Sequence, residues 1–321
     1  MRGGLVTLGE ALGVIAATDP GPLAPGAGMR MDFAGAEATV AIGVSRLGHR
    51  SAWIGSVGAD AVGRMIFDRL RAEQVDLADC RLDPDLPTAL MLRERRTADR
   101  TRVTYYRRGL AGAHLCVDQI DAARITAAGV LHITGITPAL SNSARAAVDL
   151  AVGIAADAGV PVSLDVNYRS ALWTPAEAAA ELAKLVSRAD ILFAGLDEAA
   201  LLLWFARPDL VPEDLVTIAE SLAAQGPSEV VLKLGSDGAA AWCDGALLRE
   251  GAVPVTAVDP VGAGDAFVAG YLAGLLDGGS VSERLRLAAL CGAFAVSVPG
   301  DWAGLPYRDE LGLLDGADIQ R

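Results

Sequence analysis

The chain has 321 residues, 52% of them hydrophobic and 21% charged, with 40 acidic against 27 basic side chains and a formal net charge of −13. That length supports one large α/β domain or two small ones around a sizeable core. The acidic balance argues against a nucleic-acid or anionic-membrane partner, so any phosphate or carboxylate site must be built from local positive charge.

In chain order, residues 5–9 read as a buried strand, and 13–31 are too rich in Gly and Pro for a helix. A helix is expected over 36–47 with Gly48 ending it, then a strand over 51–57 and an amphipathic helix over 61–74. Residues 88–95 and 101–107 alternate side-chain type at period two, which predicts a hairpin with one wet face. From Val130 onward strand and helix alternate. Strands are expected over 130–134, 161–166, 191–195 and 229–234, and helices over 143–158, 175–188, 197–205 and 213–224. Two closing helices are expected over 264–276 and 281–298. Such alternation implies parallel strands with crossover helices. The fold class is therefore α/β: a doubly wound, mainly parallel sheet flanked by helices. A small β lid, formed by about 13–33 and 88–108, is inserted into a single domain spanning 1–321.

Cys80, Cys116, Cys243 and Cys291 contain no C-x-x-C pair and suggest neither a zinc site nor a disulfide framework. Reduced thiols in a cytoplasmic protein are expected. Glu10 interrupts the amino-terminal apolar stretch, which makes it a poor signal peptide. No apolar run reaches the roughly 18 residues that span a bilayer.

The string Asp259-Pro-Val-Gly-Ala-Gly-Asp-Ala-Phe267 carries the most chemistry. A glycine turn there opens into an apolar helix, whose free first-turn N–H groups favour an anion. Gly262 and Gly264 let the backbone approach a phosphate, Ala263 lies between them, and Asp265 follows. A carboxylate beside an anion hole suits phosphoryl transfer to an alcohol. From this segment alone, Asp265 as a simple helix cap is an equal alternative.

Four other stretches bear on function. Gly35 precedes a helix and reads either as a hinge for sugar approach or as an ordinary helix start. Tyr105 and Arg107 share a face of a lid strand, and a phenol with a guanidinium grips a carboxylate well. Asp165, Asn167 and Arg169 end a strand on the rim where such sheets bind ligands. Lys233 lies on a strand that runs into a glycine-rich turn at Gly235, Ser236 and Gly238 before a second strand, either a plain hairpin or a nucleotide cradle. Asp301 would accept sugar hydroxyls or simply form a turn.

Together these stretches resemble the ribokinase-like (PfkB) carbohydrate kinases, and within them the 2-keto-3-deoxygluconate kinase branch. The strings that carry the likeness are VTYYRRG, LHITGITPALS, SLDVNYRSALW, VVLKLGSDGA, VDPVGAGDAF and GDWAGLPYR, which run nearly end to end. The resemblance implies an ATP-dependent sugar kinase using Mg²⁺, and leaves a monovalent cation open. It implies Asp265 as the catalytic base beside Gly262, Ala263 and Gly264, with substrate at Gly35, Tyr105, Arg107, Arg169 and Asp301. Nucleotide contacts would fall on Asn167, Lys233, Gly235, Ser236, Gly238, Gly262 and Gly264, and a metal contact on Glu198. The chain departs from the branch at Ala34, Thr39, Met91, Leu110, Gly195 and Ala289, which bears on the exact sugar and epimer.

Alternatives are a kinase for a neutral sugar such as fructose, or a non-catalytic sugar or nucleotide sensor. A dehydrogenase is disfavoured, because no G-x-G-x-x-G follows the first strand. The exposed strand edges of a β lid predict a homo-oligomer formed through it.

Overall fold

The computed structural model describes residues 3–97, 100–206 and 214–314. Its strands are β1 (Leu5–Leu8), β2 (Leu12–Ala17), β3 (Met29–Ala34), β4 (Ser51–Ile54), β5 (Ser56–Gly58), β6 (Arg81–Asp83), β7 (Leu90–Arg95), β8 (Thr101–Tyr106), β9 (Val130–Thr134), β10 (Val162–Asp165), β11 (Ile191–Gly195), β12 (Glu229–Lys233), β13 (Ala239–Cys243) and β14 (Ala246–Glu250). Its α-helices are α1 (Ala36–Arg46), α2 (Ala61–Ala72), α3 (Ala122–Thr126), α4 (Thr137–Leu140), α5 (Asn142–Ala158), α6 (Pro175–Val186), α7 (Leu196–Ala206), α8 (Leu215–Ala223), α9 (Ala263–Leu276) and α10 (Val281–Val296).

Eight strands form the central sheet in the order β14-β13-β12-β11-β10-β9-β1-β4. Every pair from β12 to β4 is parallel, while β13 and β14 continue the edge antiparallel. The strands are apolar on both faces because both faces are covered. Along β11, Ile191 and Phe193 join one core while Leu192 and Ala194 join the other. Along β12, Val231 faces the first core, and Val230 and Leu232 the second. The first core packs under α1, α9 and α10, and the second under α5 to α8. Full burial of each large apolar side chain contributes about 1.5–3 kcal/mol. The helices start where local chemistry dictates: Thr174 with Glu177 and Ser280 with Glu283 form capping boxes at α6 and α10.

A second, four-stranded sheet has the order β3-β2-β7-β8. Its β7–β8 pair is the expected antiparallel hairpin, with Met91 opposite Tyr105. One face of β7 is buried, whereas β8 is exposed throughout. The strand expected over 51–57 is divided. The portion β4 stays in the central sheet, and β5 leaves it to pair with β6. Gly55 sits at the break, where a Cβ would collide with the Trp53 ring. The short elements β6, α3 and α4 and the edge strand β14 lack a strong periodic pattern and were not anticipated. Glu213, the expected start of α8, lies outside the described residues; the helix is capped by Asp214.

The parallel strands β9, β10, β11 and β12 end on one rim, where Thr134 lies in register with Asp165, and Gly195 with Lys233. The glycine turn before α9 faces that rim, and the second sheet stands beyond it.

Candidate active site

The site is built around the first turn of α9. Its N-cap, Gly262, has φ 78°, and a Cβ there would also collide with the carbonyl oxygen of Asp301. Glycine is therefore required twice over, by backbone hand and by space. No side chain caps α9. Ala263 N–H makes only a long 3.4 Å bond to Pro260 O. The amides of Gly262, Gly264 and Asp265 donate to no acceptor among the described residues. They present the positive end of the helix to whatever lies in front of it.

Asp265 does not tie down its own helix. Its Oδ1 accepts from Asn167 Nδ2 at 3.3 Å instead. Burial pushes its carboxyl up to about 7, and nearby Asp165 adds to the rise against the opposing pull of Arg169 and Lys233. Such a group is poised to take a proton near neutral pH. Asn167 holds a left-handed conformation, φ 40°, just past β10. Asparagine tolerates that conformation better than most residues, and such departures cluster at functional sites.

Beneath the turn, Lys233 Nζ lies 2.7 and 2.8 Å from the two carboxylate oxygens of buried Asp165. Burial works against the Lys233 charge, but Asp165 and Glu198 outweigh it and raise its pKa. A Cβ on Gly264 would sit 3.8 Å from the same ammonium, so Lys233 lies directly under the glycine turn. His132, fully buried and 3.0 Å from Ser163 Oγ, is pushed down to about 3 by burial and by Lys233 and stays neutral.

Two cavities flank this centre. The larger, about 700 Å³, is mostly apolar; Pro254, Phe267, Ala289 and Val296 line it, with Lys233, Gly235, Ser236, Gly238 and Gly264 at its polar end. Four of those five polar-end residues are glycine or serine, which lets a ligand approach the backbone. The smaller cavity, about 270 Å³, is lined by Gly35, Tyr105, Arg107, Arg169, Gly262, Asp265 and Asp301 together. Every residue expected to bind substrate therefore meets in one place, although they come from four separate segments of chain. Asn167 lies beneath Asp265 and does not line the larger cavity.

Sequence reasoning missed several charged residues here. Buried Glu10 forms an ion pair with Arg107, whose guanidinium also stacks 5.2 Å from the Tyr105 ring. Burial raises the Glu10 carboxyl above its ordinary range despite Arg107. Glu37, also buried, accepts from the hydroxyls of Thr134 and Thr137, each at 2.6 Å. Arg93 pairs with Asp259 and Asp301. Arg169 pairs with no carboxylate among the described residues and donates only a long 3.4 Å bond to the Tyr168 carbonyl. The available signal was acids and an arginine set among apolar residues on strand ends and a helix start.

Glu198 Oε1 accepts from Tyr168 N at 2.9 Å, and Oε2 from Gly195 N at 2.7 Å, so the carboxylate stitches the ends of β10 and β11 together. No group of three or more His, Cys, Asp or Glu side chains gathers into a metal cage among the described residues. A single carboxylate whose two oxygens each accept a backbone N–H would hold Mg²⁺ through water rather than directly.

Residues 3–308 match the pfkB family carbohydrate kinases, and the chain belongs to that family. It is 38% identical to a 2-dehydro-3-deoxygluconokinase of Thermoproteus tenax, over 95% of this chain and 92% of that protein. It is 35% identical to a 2-dehydro-3-deoxygluconokinase of Bacillus subtilis, over 95% and 93%. A fructokinase of Klebsiella pneumoniae is 34% identical over 86% of this chain and 90% of that protein. Among solved structures, an E. coli ribokinase II in complex with ATP and Mg²⁺ superposes with a TM-score of 0.88 at 26% identity, covering 98% of this chain and 99% of that one. The doubly wound fold and the sugar-kinase activity expected from the sequence are thereby shown. Among the described residues, no helix is long and apolar enough to cross a membrane.

Proposed function

We propose that this chain transfers the γ-phosphoryl group of ATP to the C6 hydroxyl of 2-keto-3-deoxygluconate. The observation that carries the reading is the position of Asp265, uncapped and between the two cavities, with unpaired helix amides on one side and a free arginine on the other.

The residues divide the chemistry as follows. The apolar cavity takes the adenine, and the turn at Gly235, Ser236 and Gly238 takes the nucleotide's polar end. The carboxylate of Asp265 accepts the hydroxyl proton as the sugar oxygen forms its bond to phosphorus and the bond to the ADP oxygen breaks. Amides of Gly262, Gly264 and Asp265, with Ala263 beside them, hold the charge on the transferring group. Lys233, paired with both oxygens of Asp165, holds the strand ends in order under the turn. Mg²⁺, held through Glu198 by way of water, would neutralise the phosphate oxygens. Arg169 and Tyr105 hold the sugar acid's carboxylate, with Arg107 kept in place by Glu10, while Gly35 and Asp301 meet its hydroxyls.

A second reading is a kinase for a neutral ketose. Arg107 and Arg93 are both already neutralised by carboxylates, which leaves a single free guanidinium in the sugar cavity. A coupled assay across 2-keto-3-deoxygluconate, its galactonate epimer, gluconate, fructose and ribose separates the readings. Preference for fructose would overturn the first, and turnover of the galactonate epimer would widen it.

The outer face of this sheet, with Tyr106 of β8 and Met31 of β3 exposed, supports pairing with a second copy through it. Sedimentation showing a monomer at micromolar concentration would remove that element.

A further inference from the structure

Three segments distant in sequence converge on one buried guanidinium. Arg93 leaves β7 of the second sheet and is 8% exposed. Its Nη2 lies 3.3 Å from Asp259 Oδ2, and its Nη1 lies 3.3 Å from Asp301 Oδ2. Asp259 is itself a junction. Its Oδ1 accepts from Val261 N at 3.2 Å, at the start of the glycine turn, and its Oδ2 accepts from Gly300 N at 3.2 Å. The carbonyl of Asp301 rests against Gly262. A second tie runs parallel to the first, because Trp302 Nε1 donates to Asp32 Oδ1 of β3 at 3.2 Å. The second sheet is thus fastened to the glycine turn and to the loop carrying Asp301.

We propose that Arg93 is a positioning residue that, through Asp259, makes the placement of the second sheet over the sugar set the geometry of the glycine turn. Both outer nitrogens of Arg93 are committed to carboxylates, so its role is orientation rather than contact with the sugar. Arginine suits this task because its planar fork fixes two acceptors at once. The amides of the turn work only if they lie where the transferring group gathers charge, and a displacement of about 1 Å costs on the order of 100-fold in rate. A sugar that draws the sheet inward would therefore also set the turn.

The test uses Arg93→Met, Arg93→Lys, Asp259→Asn and the Arg93→Met/Asp259→Asn double variant. Each is assayed with whichever sugar the parent chain turns over best, so the outcome does not depend on the substrate assignment. Arg93→Met is expected to lower kcat about 10- to 100-fold. The KM values for sugar and ATP should change less than about threefold. ATP hydrolysed per sugar phosphorylated should rise. The double variant should be no slower than the slower single one, because both remove the same link. Arg93→Lys, which keeps the charge but not the fork, should recover part of kcat. The proposal is overturned if the two losses multiply, or if Arg93→Met raises only the sugar KM, as a direct contact would. If Arg93→Met does not fold, Arg93→Lys decides: parental kcat and coupling in that variant would overturn the proposal.

Discussion

Asn167 Nδ2 donates to Asp265 Oδ1 at 3.3 Å, joining the end of β10 to the first turn of α9 across the floor of the site. The bond holds the carboxyl away from its own helix amides and aims it between the two cavities. Asp265→Asn keeps the shape and removes the base. It is expected to fold and to lose about 10²- to 10⁴-fold in kcat. Steady-state kinetics with the preferred sugar checks this, and near-parental turnover would remove the base assignment.

The same substitution should not lower stability. The native carboxyl sits at about 7 against an ordinary value of 3.8. A raised acid contributes stability that is complete below its unfolded pKa and is lost as pH rises through its folded one. At pH 8 the ionised, buried carboxylate is thus a cost that asparagine lacks. The melting temperature of Asp265→Asn at pH 8 is expected to equal or exceed the parent's, by up to about 2–4 °C for each kcal/mol recovered. The difference should shrink toward pH 5. A lower melting temperature at pH 8 would show that the charge stabilises the fold.

Activity should carry the opposite sign. The base must be ionised, so kcat/KM is expected to fall as pH drops through about 7. Asp301, pushed up to about 7 chiefly by burial, lies on the same cavity. The macroscopic value therefore belongs to the coupled set. A profile of kcat/KM flat from pH 6 to 8.5 would contradict the elevated carboxyls.

Arg169 and Arg107 should differ in effect. Arg169 has no carboxylate partner, whereas Arg107 is held by Glu10. Arg169→Ala is expected to raise KM for an acid sugar at least about tenfold, the loss of a charge-assisted contact, with a smaller change for a neutral one. Glu10→Gln frees Arg107 and should alter the ratio of acid to neutral sugar turnover. Equal effects of Arg169→Ala on both sugar classes would place the carboxylate elsewhere.

Gly262→Ala tests the turn itself. A Cβ there meets the Asp301 carbonyl at a backbone φ of 78°. Loss of about 1–3 kcal/mol of stability is expected from the strain, along with loss of phosphoryl transfer. Denaturant unfolding and the kinase assay together check it. An unchanged midpoint would mean the backbone can yield at that point.

What the sequence by itself determined was set by short-range chemistry. Short continuous apolar runs, alternating with helical segments, marked the parallel strands, because each strand is buried on both faces. The Gly262–Asp265 string marked the anion turn, because a left-handed backbone and a close approach leave little choice but glycine. Gly35, Tyr105, Arg107, Arg169 and Asp301 were legible one by one as candidates, though not that a single 270 Å³ space would unite them. Only the tertiary structure decided which charges are spent. Arg107 is neutralised by Glu10, and Arg93 reaches Asp259 across 166 residues and Asp301 across 208. Local pattern carries no record of such partners, since an ion pair is fixed by how the two sheets and α9 come together. The division of strand 51–57 at Gly55 was settled the same way, by the Trp53 ring packed against it.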